Sequence, residues 1–189
     1  MSQSCCDRSE VSHAVEESVS VRRQFVKLGM LAGGASLLGL SMPSAQAAGE
    51  TEALLLSCMD FRLMNEIEHY MNARGLRDKY DHVVLAGASL GAVTDQFPAW
   101  NKTFWDHVDI AKKLHHIKKV IVIDHRDCGA YKVVLGEDSV KTEKLETEAH
   151  VAQLGKLRSM LKARHPELEV ETLLMSLDGQ VEPVEVGVS

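Results

Sequence analysis

Apolar positions along this chain alternate between two rhythms, and each change of rhythm marks an element. Ala53-Leu54-Leu55-Leu56-Ser57 is a short continuous apolar run that predicts a buried strand. From Leu63 to Ala73 the spacing becomes helical, with Leu63, Met64, Ile67, Tyr70 and Met71 on one side and Gly75 following as a C-cap. His82-Val83-Val84-Leu85-Ala86 reads as a second strand and runs into a Gly-rich turn, Gly87-Ala88-Ser89-Leu90-Gly91. Pro98 suits the first turn of a helix, whose buried face is expected to carry Trp100, Phe104, His107, Val108, Ala111 and Leu114. Lys119-Val120-Ile121-Val122-Ile123-Asp124 is β-branched and continuous, as a strand covered on both faces should be.

A long helix is expected from about Thr142 to Arg164, with Leu145, Ala149, Ala152, Leu154, Leu157, Met160 and Leu161 inward and Pro166 as its stop. Val170 to Leu177 is a fourth strand. Asp178-Gly179 turns the chain into Gln180-Val181-Glu182, and Pro183 places that last strand on an edge. Alternating strands and helices imply an α/β domain with a mostly parallel central sheet flanked by helices. Ligand sites in such sheets gather beyond the C-terminal ends of the strands.

The N-terminal region changes how the rest is counted. Arg22-Arg23-Gln24-Phe25-Val26-Lys27 carries a twin arginine, an apolar Gly- and Ala-rich stretch runs from Leu28 to Met42, and Ala45-Gln46-Ala47 is a small-x-small cleavage pattern. Residues 1–47 therefore read as a twin-arginine signal peptide read by the twin-arginine export machinery, with a periplasmic destination and a domain over 48–189. The alternative is a short anchor that is never cleaved. The remaining chain, roughly 140 residues, is one domain by length. Cys5 and Cys6 leave with the signal, so Cys58 and Cys128 remain. Two cysteines in an exported protein would ordinarily suggest a disulfide. Export in the folded state offers the other course: a metal inserted in the reducing cytosol protects both thiolates. The formal net charge of −6 argues against a nucleic-acid footprint. Lys112, Lys113, Lys118 and Lys119 cluster at a helix end, where they offset the macrodipole.

The chemistry lies where two strands end. Cys58-Met59-Asp60-Phe61-Arg62 follows the first, and His125-Arg126-Asp127-Cys128-Gly129 follows the β-branched one. Two thiolates and an imidazole suit zinc (Zn), and three protein ligands leave the fourth tetrahedral position open, as in catalytic sites. Asp60 can also cap the helix that begins near Arg62. Asp127 is expected to bond local loop amides. Asp124 either accepts a bond from a metal ligand or points away. Ser89 lies in a turn whose amides can face an anion, and His69, His82, His107, His115, His116, His150 and His165 have no motif around them.

Cys-x-Asp-x-Arg followed by His-x-x-Cys-Gly resembles the β-class carbonic anhydrases, over about Leu54 to Leu135. The resemblance implies that Cys58, His125 and Cys128 bind zinc and that Asp60 and Arg62 form a catalytic dyad beside it. It implies reversible hydration of carbon dioxide to bicarbonate by zinc-bound hydroxide, and a homodimer or a multiple of dimers. Two departures mark a divergent branch. Asp124 stands where the family usually has glycine, and Leu85-Ala86-Gly87-Ala88-Ser89 replaces its Arg-Asn-Ala-Gly-Asn segment. The alternatives are hydrolysis of carbon disulfide or carbonyl sulfide on the same fold, a non-catalytic zinc or bicarbonate binder in which Asp60 closes the site, and a thiol redox protein.

Overall fold

The five strands expected from the apolar runs form one sheet in a computed structural model, whose described residues are 49–186. The signal reading of residues 1–47 lies outside them. Strands β1 (Ala53–Cys58), β2 (Tyr80–Leu85), β3 (Lys119–His125), β4 (Glu169–Met175) and β5 (Val181–Pro183) take the order β2-β1-β3-β4-β5. The first four are mutually parallel and β5 pairs antiparallel with β4. Pro183 thus occupies an edge, where its missing N–H breaks no ladder. Among the described residues no helix is long and apolar enough to cross a membrane.

Successive residues of a strand face opposite sides, so the continuous apolar runs feed two cores. Leu54, Leu56, Val120 and Val122 pack with Phe104, Val108, Leu154, Leu157 and Leu161 on one face. Ala53, Leu55, Ile121 and Ile123 pack with Leu63, Ile67 and Met71 on the other. Full burial of each such Leu or Ile contributes about 1.5–3 kcal/mol. Helix α1 (Met64–Ala73) covers the second face. Helices α2 (Ser89–Val93), α3 (Pro98–His115), α4 (Gly129–Leu135) and α5 (Glu143–Arg164) complete the chain order.

Several expectations need correction. The Gly-rich segment is not a plain turn: Ser89–Val93 forms the short, wholly buried α2. Gly91 is required there, because a Cβ would lie 2.5 Å from the Ala86 carbonyl oxygen. In α3 the buried positions are Phe104, Val108 and Ala111, whereas Leu114 and His107 face outward. In α5 the buried stripe is His150, Leu154, Leu157 and Leu161. Leu145 and Met160 are exposed. Leu154, Leu157 and Leu161 face inward as expected, Ala152 is exposed as well, and His150 takes an inward position that the apolar pattern did not mark. Helix α4 has no counterpart among the expected elements.

Candidate metal centre

Cys58 is the last residue of β1, His125 is the last of β3, and Cys128 immediately precedes α4. From β1 the sheet grows to β2 on one side and to β3 on the other, so the gap between β1 and β3 is a topological switch point. The register there pairs Ser57 with Ile123, which brings the two motifs together across the strand ends. Ligand atoms of Cys58, His125 and Cys128 lie within 4.8 Å of one another, all three residues buried. The two sulfurs are 3.9 Å apart and both cysteines are free, far beyond the ~2.05 Å of a disulfide. His125 Nδ1–H donates to the Arg126 carbonyl at 2.8 Å. That leaves Nε2 as the acceptor, and it is buried with no partner. A buried polar atom without a partner calls for an unseen one, such as an ion.

The electrostatics fit a cation. Cys58 is held well below the usual thiol range, first by the hydrogen bond from Cys128, with His125 and the Gly87 N–H adding to it against burial. Cys128 is pushed up by the same Cys58 contact and by burial, although the N–H groups of Tyr131 and Ala130 pull the other way. At 3.9 Å the two sulfurs are close enough to hold one proton between them, and a divalent cation bound there would displace it. Burial opposes charge on His125, yet the nearby Cys58 thiolate, with the Arg126 carbonyl and the Asp60 charge, outweighs burial and raises it. Gly87 N–H reaches Cys58 Sγ at 3.3 Å from a backbone at φ +74°, a conformation glycine adopts without strain.

Asp60 and Arg62 sit beside the cluster. Asp60 caps the turn Phe61–Leu63 through a bond from the Arg62 N–H at 3.0 Å. It also accepts a forked pair from the guanidinium, Nε to Oδ1 at 2.9 Å and Nη2 to Oδ2 at 2.8 Å. Capping and pairing thus occur together. The Arg62 bonds hold the Asp60 carboxyl at about 2, below its ordinary value. Asp60 Oδ2 lies 3.8 Å from His125 Nε2, so the carboxylate overhangs the cluster without joining its donors.

Asp127 departs from expectation. Its side chain bonds no loop amide; it accepts from Arg62 Nη1 at 2.9 Å and from Lys132 Nζ. The Asp127 carbonyl takes Arg62 Nη2 at 3.1 Å. The residue sits at φ 55°, a left-handed conformation that Asp and Asn tolerate. Asp127→Asn therefore keeps the turn while weakening one contact of a half-exposed pair. The expected result is a ~1.5- to 5-fold fall in kcat/KM, the scale of exposed ion pairs, with unchanged melting temperature; steady-state kinetics and a thermal scan check it.

The remaining sequence candidates take other places. Ser89 offers nothing to an anion, because its N–H and its hydroxyl both go to Asp124. Asp124 points into the core, where its carboxylate meets His150 at 3.0 Å. His115 is tied to Asp81 at 2.7 Å, and His116 ends α3 in the left-handed region.

Residues 48–185 match the family model described as "Putative carbonic anhydrase". An uncharacterized protein of Rickettsia conorii is 45% identical over 135 residues, covering 71% of this chain and 73% of its own. One of Rickettsia bellii is 43% identical over 145 residues, covering 77% and 88%. Among solved structures, a tetrameric β-carbonic anhydrase of the fungus Sordaria macrospora aligns with TM-score 0.49 and 12% identity over 96% of this chain and 95% of its own. The Coccomyxa β-carbonic anhydrase in complex with acetazolamide aligns with TM-score 0.47 and 15% identity over 95% and 87%. With the family match spanning nearly all the described residues, this chain belongs to the carbonic anhydrase family of that model.

Proposed function

We propose that this chain is a zinc-dependent carbonic anhydrase that interconverts carbon dioxide and bicarbonate. The observation that carries the reading is the Cys58–His125–Cys128 cluster with an unpartnered imidazole nitrogen turned to it. Zinc–sulfur bonds of ~2.3 Å at a tetrahedral angle require sulfurs about 3.8 Å apart; these are 3.9 Å apart. When bound, zinc supplies the Lewis acidity that makes water nucleophilic near neutral pH.

The chain's own residues do the rest. Cys58, His125 and Cys128 would hold the metal and, as three ligands, would leave the fourth position open. Asp60, kept ionised by Arg62, would accept a hydrogen bond from the attacking water and aim its lone pair at the carbon of carbon dioxide. The hydration proton then leaves toward solvent on the Asp60 side. Both Asp60 oxygens are engaged by Arg62, which favours an open site over one closed by Asp60. Assembly into a homodimer is part of the proposal, supported by Met59 (65% exposed) and Phe61 (86% exposed) on either side of Asp60. Large apolar side chains this bare suggest a covered surface. Export by the twin-arginine route to the periplasm is proposed from Arg22-Arg23 and the stretch after it.

The test is metal analysis with stopped-flow carbon dioxide hydration on freshly purified protein. The expected result is one zinc per chain and hydration that rises from neutral to alkaline pH. Zinc-loaded protein with no hydration over that range overturns the reading, and parallel assays with carbonyl sulfide and carbon disulfide identify the hydrolase alternative.

A further inference from the structure

Asp124 is 1% exposed, yet its carboxylate is fully engaged. The Ser89 N–H donates to Oδ1 at 2.9 Å. On Oδ2 converge the Ser89 hydroxyl at 2.6 Å, the Tyr131 hydroxyl at 2.6 Å and the His150 Nδ1–H at 3.0 Å. Every donor is buried: Ser89 and His150 show no exposure and Tyr131 shows 1%. Burying a carboxylate is costly unless its lone pairs are met. Fully met, such a network rigidifies its surroundings; partly met, it destabilises them.

What the network ties together gives it a role. Asp124 is the residue before His125 on β3. Ser89 is two residues from Gly87, whose N–H donates to Cys58 Sγ. Between them Ala88 is held at φ 41°, ψ −102°, a conformation that persists only where its surroundings enforce it. Tyr131 lies in the first turn of α4, three residues past Cys128. His150 anchors the group to α5. One carboxylate thus fastens the segments that carry all three metal donors. The two departures from the family pattern, at Asp124 and at the segment ending in Ser89, meet here as one unit.

We propose that Asp124 is a positioning residue for the metal centre, which fixes the spacing of Cys58, His125 and Cys128 through Ser89, Tyr131 and His150. The proposal rests on the zinc reading above. Partners behind metal ligands typically account for ~10- to 100-fold in metal affinity.

The experiment compares wild type with Tyr131→Phe, Ser89→Ala and Asp124→Asn. Three readouts are taken: zinc Kd by chelator competition, the visible spectrum of the cobalt-substituted protein, and the melting temperature of the metal-free protein. Tyr131→Phe and Ser89→Ala each remove a hydroxyl from a folded network and should weaken zinc ~10-fold, with a shifted cobalt–thiolate band. Asp124→Asn keeps the shape but presents an NH2 group where an acceptor is needed, and should weaken zinc ~100-fold. If Asp124→Asn does not fold, the two hydroxyl variants decide. A lowered metal-free melting temperature with wild-type Kd and cobalt spectrum means a purely structural role and overturns the proposal. A wild type that takes up neither zinc nor cobalt overturns the zinc reading and this inference together; a zinc-binding wild type indistinguishable from its variants overturns this inference alone.

Discussion

Cys128→Ser is expected to abolish tight zinc binding and reduce carbon dioxide hydration to the uncatalysed rate. Cys128 is 3% exposed and its sulfur is 3.9 Å from that of Cys58; among the described residues these are the only two cysteines, so no third thiolate there can replace it. Serine is close in size, so the fold should hold, but its hydroxyl is neutral at working pH and a far poorer zinc ligand. Losing one of three ligands should cost more than the ~10- to 100-fold typical of an outer hydrogen-bond partner. Stability gives a second readout. A ligand that binds only the native state stabilises it by about 2.7 kcal/mol at a hundredfold excess over Kd. Wild type should therefore melt higher with added zinc and lower after chelation, whereas Cys128→Ser should melt at one temperature in both. A serine variant that retains a full complement of zinc would remove Cys128 from the metal centre.

The legible parts of this molecule are those in which a local pattern and its cause coincide. A continuous apolar run such as Leu54 to Leu56 is buried on both faces only in a covered sheet, so it predicts both the strand and its parallel neighbours. Placement of the motifs followed from the same logic: parallel strands release their C-terminal residues at one edge, so Cys58 and His125 meet although 67 residues separate them by sequence number. Pro183 marked an edge because its missing N–H would break a ladder bond in a central strand.

Partners chosen across the fold were not legible. His150 occupies an inward position on α5 and reads locally as a break in an apolar stripe; only the end of β3, arriving from the other side, makes it a hydrogen-bond donor to Asp124. Tyr131 sits in a seven-residue helix too short for periodicity to reveal. One signal was available: a carboxylate ending a strand as apolar as Val120 to Ile123 must be satisfied inside the core, which demands several donors nearby. Asp127 was misplaced for a related reason. Its left-handed backbone turns the side chain outward to Arg62 and Lys132 rather than back to its own loop.

Asp60→Asn is expected to lower kcat for carbon dioxide hydration by ~10²- to 10⁴-fold, the range of a positioned acid–base group, and to leave zinc content unchanged. Asp60 is not among the three residues placed to hold the ion, so its loss should not release it. The amide keeps one acceptor but turns an NH2 group toward Arg62 or toward the water, and either choice spoils the aim of the other. Arg62 gives the control. Arg62→Lys keeps the charge but loses the fork that engages both Asp60 oxygens, since an ammonium is a point donor rather than a planar pair. Its kcat should fall between wild type and Asp60→Asn. Stopped-flow hydration with metal analysis on the same samples separates the possibilities. If Asp60→Asn is as fast as wild type with full zinc, the dyad has no catalytic role and the metal centre stands without it. If Arg62→Lys matches wild type, charge alone keeps Asp60 in place and the forked geometry is incidental.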